Sequence, residues 1–127
     1  LIESIKEIKV GGSISRIGKK IDEIANNNYF SVVKDFCGHG VGKNFHESPS
    51  ILHYYDPEYD NIKFIDGMIF TVEPMINSGK YHSKILSDGW TAVTKDKTLS
   101  AQYEHTIYIN GDNIEILTNS PKGIFYN

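Results

Sequence analysis

His39 stands between two glycines in CGHGVGKNFHESP (37–49), and His46 follows seven residues later beside Glu47. Several chemistries begin from such a stretch. A phosphate-cradling loop requires Gly, four residues, then Gly-Lys-Ser/Thr. Gly42-Lys43 is present, but Cys37 occupies the first glycine position and Asn44 the hydroxyl position. A dinucleotide G-x-G-x-x-G accepts Gly38 and Gly40 and then meets Lys43 where the third glycine belongs. A zinc helix of the form His-Glu-x-x-His starts at His46-Glu47, yet Ser50 stands at the second histidine and Pro49 would break the helix. Cys37 and His39, two apart on a strand, share a face and could pair as nucleophile and base. No Asn or Asp that would orient that pair is identifiable, and a lone Cys is usually a small buried hydrophobe. Two readings remain open. Either a strand delivers His39 into a pocket where backbone comes close, with glycine removing the Cβ and permitting positive φ, or the stretch is glycine-rich turn chemistry with His39 incidental.

Two carboxylates bear on that choice. Glu73 ends an otherwise apolar run, MIFTVEP, and Glu104 interrupts AQYEHTIYI, where Gln102, Glu104 and Thr106 share one face and Tyr103, His105 and Ile107 the other. Burying a bare carboxylate is very costly, so each must be solvated, paired or metal-bound. Edge-strand glutamates facing water are the plain alternative for either alone. Taken together, His39, Glu73 and Glu104 form a hard-donor set of two carboxylates and one imidazole, suited to Mn, Fe, Co or Zn.

The elements that must position these residues follow from periodicity. Ile2, Ile5 and Ile8 predict a short helix ended by Gly11-Gly12. Ser13 is the expected cap of a second helix carrying Ile14, Ile17, Ile21 and Ile24 on one face and stopping at Asn26-Asn28. FSVV (30–33) reads as a strand, and MIFTVEPMI (68–76) as an apolar strand interrupted by Pro74. GWTAVT (89–94) and AQYEHTIYI (101–109) read as a strand pair, and NGDN (110–113) as a hairpin turn into IEILT (114–118). Helices first and then mostly antiparallel strands give an α+β chain of one domain over 1–127. His53, His82 and His105 carry no motif and read as surface or satisfied core residues. Tyr54, Tyr55 and Tyr59 read as packing residues with wet hydroxyls.

Composition narrows the partners. A net charge of -3 over 127 residues leaves no electrostatic footprint for nucleic acid. The single cysteine precludes an internal disulfide and suits a reducing compartment, so a cytoplasmic location is expected. No apolar run is long enough to span a membrane. LIESIKEIKV opens mid-helix without a targeting leader, as a fragment would.

GHGVGKNFHESPSILHYY, MIFTVEPMI and GWTAVTKDKTLSAQYEHTIYI closely resemble the methionine aminopeptidases of type I, in the family's order and spacing, and SISRIGKKIDEIA before them is similar as well. The resemblance implies the C-terminal half of a pita-bread fold, with helices packed on a mostly antiparallel sheet. It implies a metal-dependent aminopeptidase that removes the N-terminal methionine of peptides and nascent chains. By the same likeness His39, Glu73 and Glu104 are metal ligands, with Glu104 bridging two ions. His46 contacts the scissile peptide and steadies its developing oxyanion, and Phe45 and Trp90 line the methionine pocket. Glu73 also serves as the general base, and the ions are two of Co, Mn, Fe or Zn per complete site. Creatinases and prolidases share the fold and some signatures, but Phe45, HESPSILHYY and Trp90 favour the aminopeptidase over a prolidase- or creatinase-like hydrolase.

The family's two aspartate ligands and a further substrate histidine belong to the first half, and no aspartate here has that context. Even outer-shell losses weaken metal sites about 10–100-fold. The expectation is therefore at most one weakly held ion, little or no activity for residues 1–127 alone, and a bare sheet edge that invites self-association. A non-catalytic binding module of the same fold is the competing reading from another class, though it would not need these side chains.

Overall fold

The computed structural model describes residues 1–120. Its first helix, α1 (Ile2–Ile5), is a single turn, and Ile5 and Ile8 are both buried. The second, α2 (Ser15–Asn27), buries Ile17, Ile21 and Ala25. Ile24, on the edge of the stripe, stays 37% exposed. Ile14, not Ser13, precedes the first helical residue. Ser13 Oγ still accepts from the Ser15 amide at 3.2 Å, so the expected cap acts one position early.

Among the described residues ten strands follow: β1 (Ser31–Val32), β2 (Gly38–Gly40), β3 (Glu47–Ile51), β4 (Ile69–Val72), β5 (Met75–Asn77), β6 (Ser83–Ile85), β7 (Ala92–Thr94), β8 (Ser100–Gln102), β9 (His105–Asn110) and β10 (Asn113–Ile116). A five-stranded sheet runs in the order β10-β9-β4-β2-β3, a three-stranded sheet in the order β1-β5-β8, and β6 pairs with β7. All these pairings are antiparallel. The α+β expectation therefore stands, as does the hairpin at 110–113, where Asn110 pairs with Asn113 and Gly111 takes φ 58°.

Two sequence expectations fail in the same way. Residues 68–76 are not one strand but β4 and β5, in different sheets, and 101–109 divides into β8 and β9. Nor do 89–94 and 101–109 pair with each other: β7 pairs with β6, β8 with β5, and β9 with β4 and β10. Pro74, which has no amide hydrogen, interrupts the ladder, and the strand across from it is interrupted at the same level.

The five-stranded sheet has two unlike faces. Directly opposed residues share a face, so Phe70 with Ile107 and Val72 with His105 lie on one side. That side joins Ile14, Ile17 and Ile21 of the α2 region and Phe64 in the core. Phe64 and Phe70 stack there with ring centroids 5.6 Å apart. The other side carries Thr71 opposite Thr106 and, beyond them, the interruption that holds both glutamates. Among the described residues no helix is long and apolar enough to cross a membrane.

Candidate metal and peptide site

The broken ladder brings the two glutamates together. Val72 pairs with His105 and Met75 with Gln102, so counting inward from both ends sets Glu73 level with Glu104 and Pro74 level with Tyr103. Two like charges directly opposed on a sheet repel. No Lys or Arg pairs with either one among the described residues. Burial pushes the Glu73 carboxyl above the ordinary carboxylate range, the Thr71 hydroxyl pulls it back, and the facing Glu104 charge raises it further.

β2 supplies His39 from the neighbouring strand. Gly38 and Gly40 are there for close approach: a Cβ on Gly38 would overlap the Thr71 carbonyl, and one on Gly40 the Ser48 carbonyl. The room they leave is filled by β4 and β3, and neither glycine has a positive φ. The strand reading of this stretch is thus the observed one, while the positive-φ reason for its glycines is not. His39 Nδ1 lies 2.9 Å from the Gly40 carbonyl, which can only accept, so Nδ1 carries the proton. In the neutral ring Nε2 then turns its lone pair toward Glu73 Oε1, 3.8 Å away.

Two buried residues to which the sequence reading gives no role hold this arrangement. Thr71, 1% exposed, accepts from the His39 amide at 3.0 Å and donates to Glu73 Oε1 at 2.9 Å. His53, also 1% exposed, accepts from the Glu73 amide through Nε2 at 3.0 Å, which satisfies the donor left without a ladder partner. Burial lowers the His53 pKa to about 4, so the ring is neutral. His53 is thus a core histidine, as its bland sequence reading allows, but one seated directly behind the candidate ligand. Thr71 lies in MIFTVEPMI, two residues before Glu73 on the same face, and His53 in HESPSILHYY; membership in those stretches is the only signal either gives. His105 is likewise buried, with Nδ1 2.8 Å from Thr118 Oγ1, and exposed His82 packs against Tyr81 with the rings tilted.

The segment between β2 and β3 places the second histidine. His46 meets the His39 ring edge-on, centroids 4.2 Å apart, and Phe45 packs against both rings at 5.5 and 4.6 Å. These three side chains, Glu73, Glu104 and Met75 border one open cleft of about 640 Å³, with Cys37 on its wall. Trp90 is not brought there. It sits 88% exposed at the tip of the β6–β7 hairpin, where the Asp88 carboxylate accepts from the Trp90 and Thr91 amides and fixes the turn.

The donor set can be judged from this geometry. An imidazole lone pair facing a carboxylate, and that carboxylate facing another, make a cluster of acceptors with no side-chain cation, which suits a divalent ion. The fixed tautomer of His39 is the outer-shell arrangement typical of a histidine ligand. Among the described residues, however, no group of three His, Cys, Asp or Glu side chains converges into one coordination shell. The set fits one side of a metal site.

Residues 1–111 match the profile of metallopeptidase family M24. The chain belongs to that family. The methionine aminopeptidase of Buchnera aphidicola subsp. Acyrthosiphon pisum is 51% identical over 115 residues, covering 91% of this chain and 43% of that protein. The methionine aminopeptidase of Escherichia coli strain K12 is 46% identical, with the same coverage. Among solved structures, methionine aminopeptidase from Thermotoga maritima superposes with a TM-score of 0.88 at 38% identity, over 94% of this chain and 48% of that one. The Rickettsia prowazekii enzyme gives 0.84 at 41% identity, over 93% and 49%. A prolidase from Pyrococcus horikoshii OT3 shares the fold, with a TM-score of 0.60 at 23% identity over 94% and 28%. The fold is the pita-bread architecture of these enzymes, and the family is one of divalent-metal peptidases. The chain spans a little under half the length of these methionine aminopeptidases.

Proposed function

We propose that residues 1–127 form the C-terminal part of the catalytic domain of a methionine aminopeptidase, which removes the N-terminal methionine from peptides and nascent chains in the cytoplasm. The observation that carries this reading is the opposed pair Glu73 and Glu104, set at a shared interruption of two sheets with His39 beside them. The identity to methionine aminopeptidases supports it, as does the superposition, closer on them than on the prolidase.

In this reading His39, Glu73 and Glu104 hold divalent metal, two ions (Co, Mn, Fe or Zn) once the remaining ligands are present. A bound divalent ion supplies Lewis acidity and lowers the pKa of water to about 7. Glu73 takes the proton of the attacking water and passes it to the leaving amine. His46 donates to the scissile carbonyl oxygen as charge develops there. Phe45 and Met75 offer apolar surface to an unbranched thioether side chain, whereas Trp90, 88% exposed on the β6–β7 hairpin, is assigned to that pocket by the family resemblance alone. Residues 1–127 alone hold at most one ion weakly and turn over little or no substrate.

The test is hydrolysis by the full-length protein loaded with Mn or Co. Release of methionine from Met-Ala-Ser and no cleavage of X-Pro dipeptides is expected. Cleavage of X-Pro alone would replace the reading with a prolidase, and binding without cleavage of either would replace it with a binding module.

A further inference from the structure

Outside the metal-facing residues, one charged side chain in the cleft has a defined task. The segment 41–46 that carries Phe45 and His46 is largely exposed and crosses from β2 to β3 without regular structure. Its backbone closes on itself once, the Gly42 amide reaching the Asn44 carbonyl at 3.2 Å. Among the described residues the only side chain from outside the segment that hydrogen-bonds to it is Glu47, the first residue of β3. Glu47 Oε1 accepts from the Asn44 amide at 2.8 Å and from Asn44 Nδ2 at 3.3 Å. The same carboxylate lies flat on Gly42: a Cβ built there would overlap Oε2 and come within 2.9 Å of Oε1.

We infer that Glu47 is a positioning residue for the peptide-cleavage reaction: its carboxylate, seated on Gly42 and bound to the Asn44 amide, fixes the loop that aims His46 into the cleft. The role rests on the proposed function only in that His46 contacts substrate; the strut itself is a property of the loop. Its anchor is strong because β3 is paired to β2 at Gly40↔Glu47, so the carboxylate is held by the sheet while its oxygens hold the loop. A hydrogen bond to an ionised acceptor is about twice as strong as one between neutral groups, and here one carboxylate oxygen takes two donors. Glycine at 42 is the steric condition for that seat. The His46 ring makes no hydrogen bond among the described residues; its position follows from the loop backbone and from ring contacts with His39 and Phe45. Freeing the loop therefore displaces the donor that must meet the developing oxyanion, and a shift of about 1 Å in such a group can cost about 100-fold in rate.

Three variants of the full-length, metal-loaded protein test this: Glu47→Ala, Glu47→Gln and Gly42→Ala. The readouts are kcat and KM on Met-Ala-Ser and amide hydrogen exchange at Asn44. Glu47→Ala should lower kcat about 10–100-fold with KM changed far less, and should abolish protection of the Asn44 amide. Glu47→Gln, which keeps an oxygen acceptor, should restore protection and most of kcat. Gly42→Ala should reproduce the loss seen in Glu47→Ala, and the two should not add when combined, because both break one contact. Unchanged Asn44 protection in Glu47→Ala, or additive losses in the double variant, would overturn the assignment. If the wild-type protein does not release methionine, the proposed function fails, while the exchange measurement still decides on the strut.

Discussion

Replacing Thr71 by Val keeps the shape of a buried, β-branched side chain and removes only its hydroxyl. That hydroxyl has two partners, the His39 amide at 3.0 Å and Glu73 Oε1 at 2.9 Å. Leaving a mid-sheet amide without an acceptor costs about 1–3 kcal/mol, and losing a bond to a charged group about 1.5–3 kcal/mol. The new methyl returns about 0.8 kcal/mol, so a net loss of about 2–5 kcal/mol is expected at neutral pH. Thr71→Ser is the control: it keeps both bonds, deletes one methyl and should cost about 1 kcal/mol. Urea unfolding of both variants measures the difference. The charge dependence gives a second reading. The hydroxyl pulls the raised Glu73 carboxyl down, so its removal should move that group further up, observable by NMR of the carboxyl carbon. The bond also loses its charge assistance once Glu73 is protonated, so the Thr71→Val penalty should shrink as pH falls through the Glu73 value. A Thr71→Val cost no larger than that of Thr71→Ser, constant with pH, would refute the reasoning that Thr71 joins the two candidate ligands.

His53 makes stability itself depend on pH. Its value is about 4 in the fold against an ordinary 6.5, so the unfolded chain binds the proton first. Stability from the neutral ring is full above about pH 6.5 and falls by up to about 3 kcal/mol as pH drops to 4. His53→Gln should flatten that part of the curve in urea titrations at stepped pH. Glu104→Gln relieves the repulsion across the interruption, so the metal-free chain should gain about 0.2–1 kcal/mol while losing metal affinity. Strand β8 is a bare edge, all three residues exposed, flanked by Leu99 at 82% and Tyr103 at 64% exposure. The 127-residue chain should therefore associate with rising concentration in analytical ultracentrifugation, and Leu99→Lys should suppress it.

The parts of the site visible in the sequence were those that violate a local rule. A histidine flanked by glycines and glutamates on apolar strands are conspicuous because each conflicts with its surroundings, and the structure seats all three at one cleft. The helix α2 and the hairpin at 110–113 were legible from isoleucine spacing and turn chemistry. Strand partners were not. Nothing in AQYEHTIYI announces a break at Tyr103-Glu104, because its cause is Pro74 on the opposing strand. β6 was missed because two of the three residues in SKI are polar and the strand finds its partner only across the Asp88 turn. His53 and Thr71 stayed hidden for a related reason: each acts through a backbone or hydroxyl contact to Glu73 that only pairing in space creates. Trp90 shows the converse, a residue singled out by motif that stands clear of the cleft because its hairpin turns on Asp88.

Isothermal titration of Mn(II) into the 127-residue chain, beside the full-length protein, tests the central claim most directly. One ion bound more than about 100-fold more weakly than in the full-length protein, with the heat lost in both His39→Ala and Glu73→Gln, is the result predicted for one side of a metal site. Tight binding of two ions by the 127-residue chain, or binding that survives both substitutions, would contradict it.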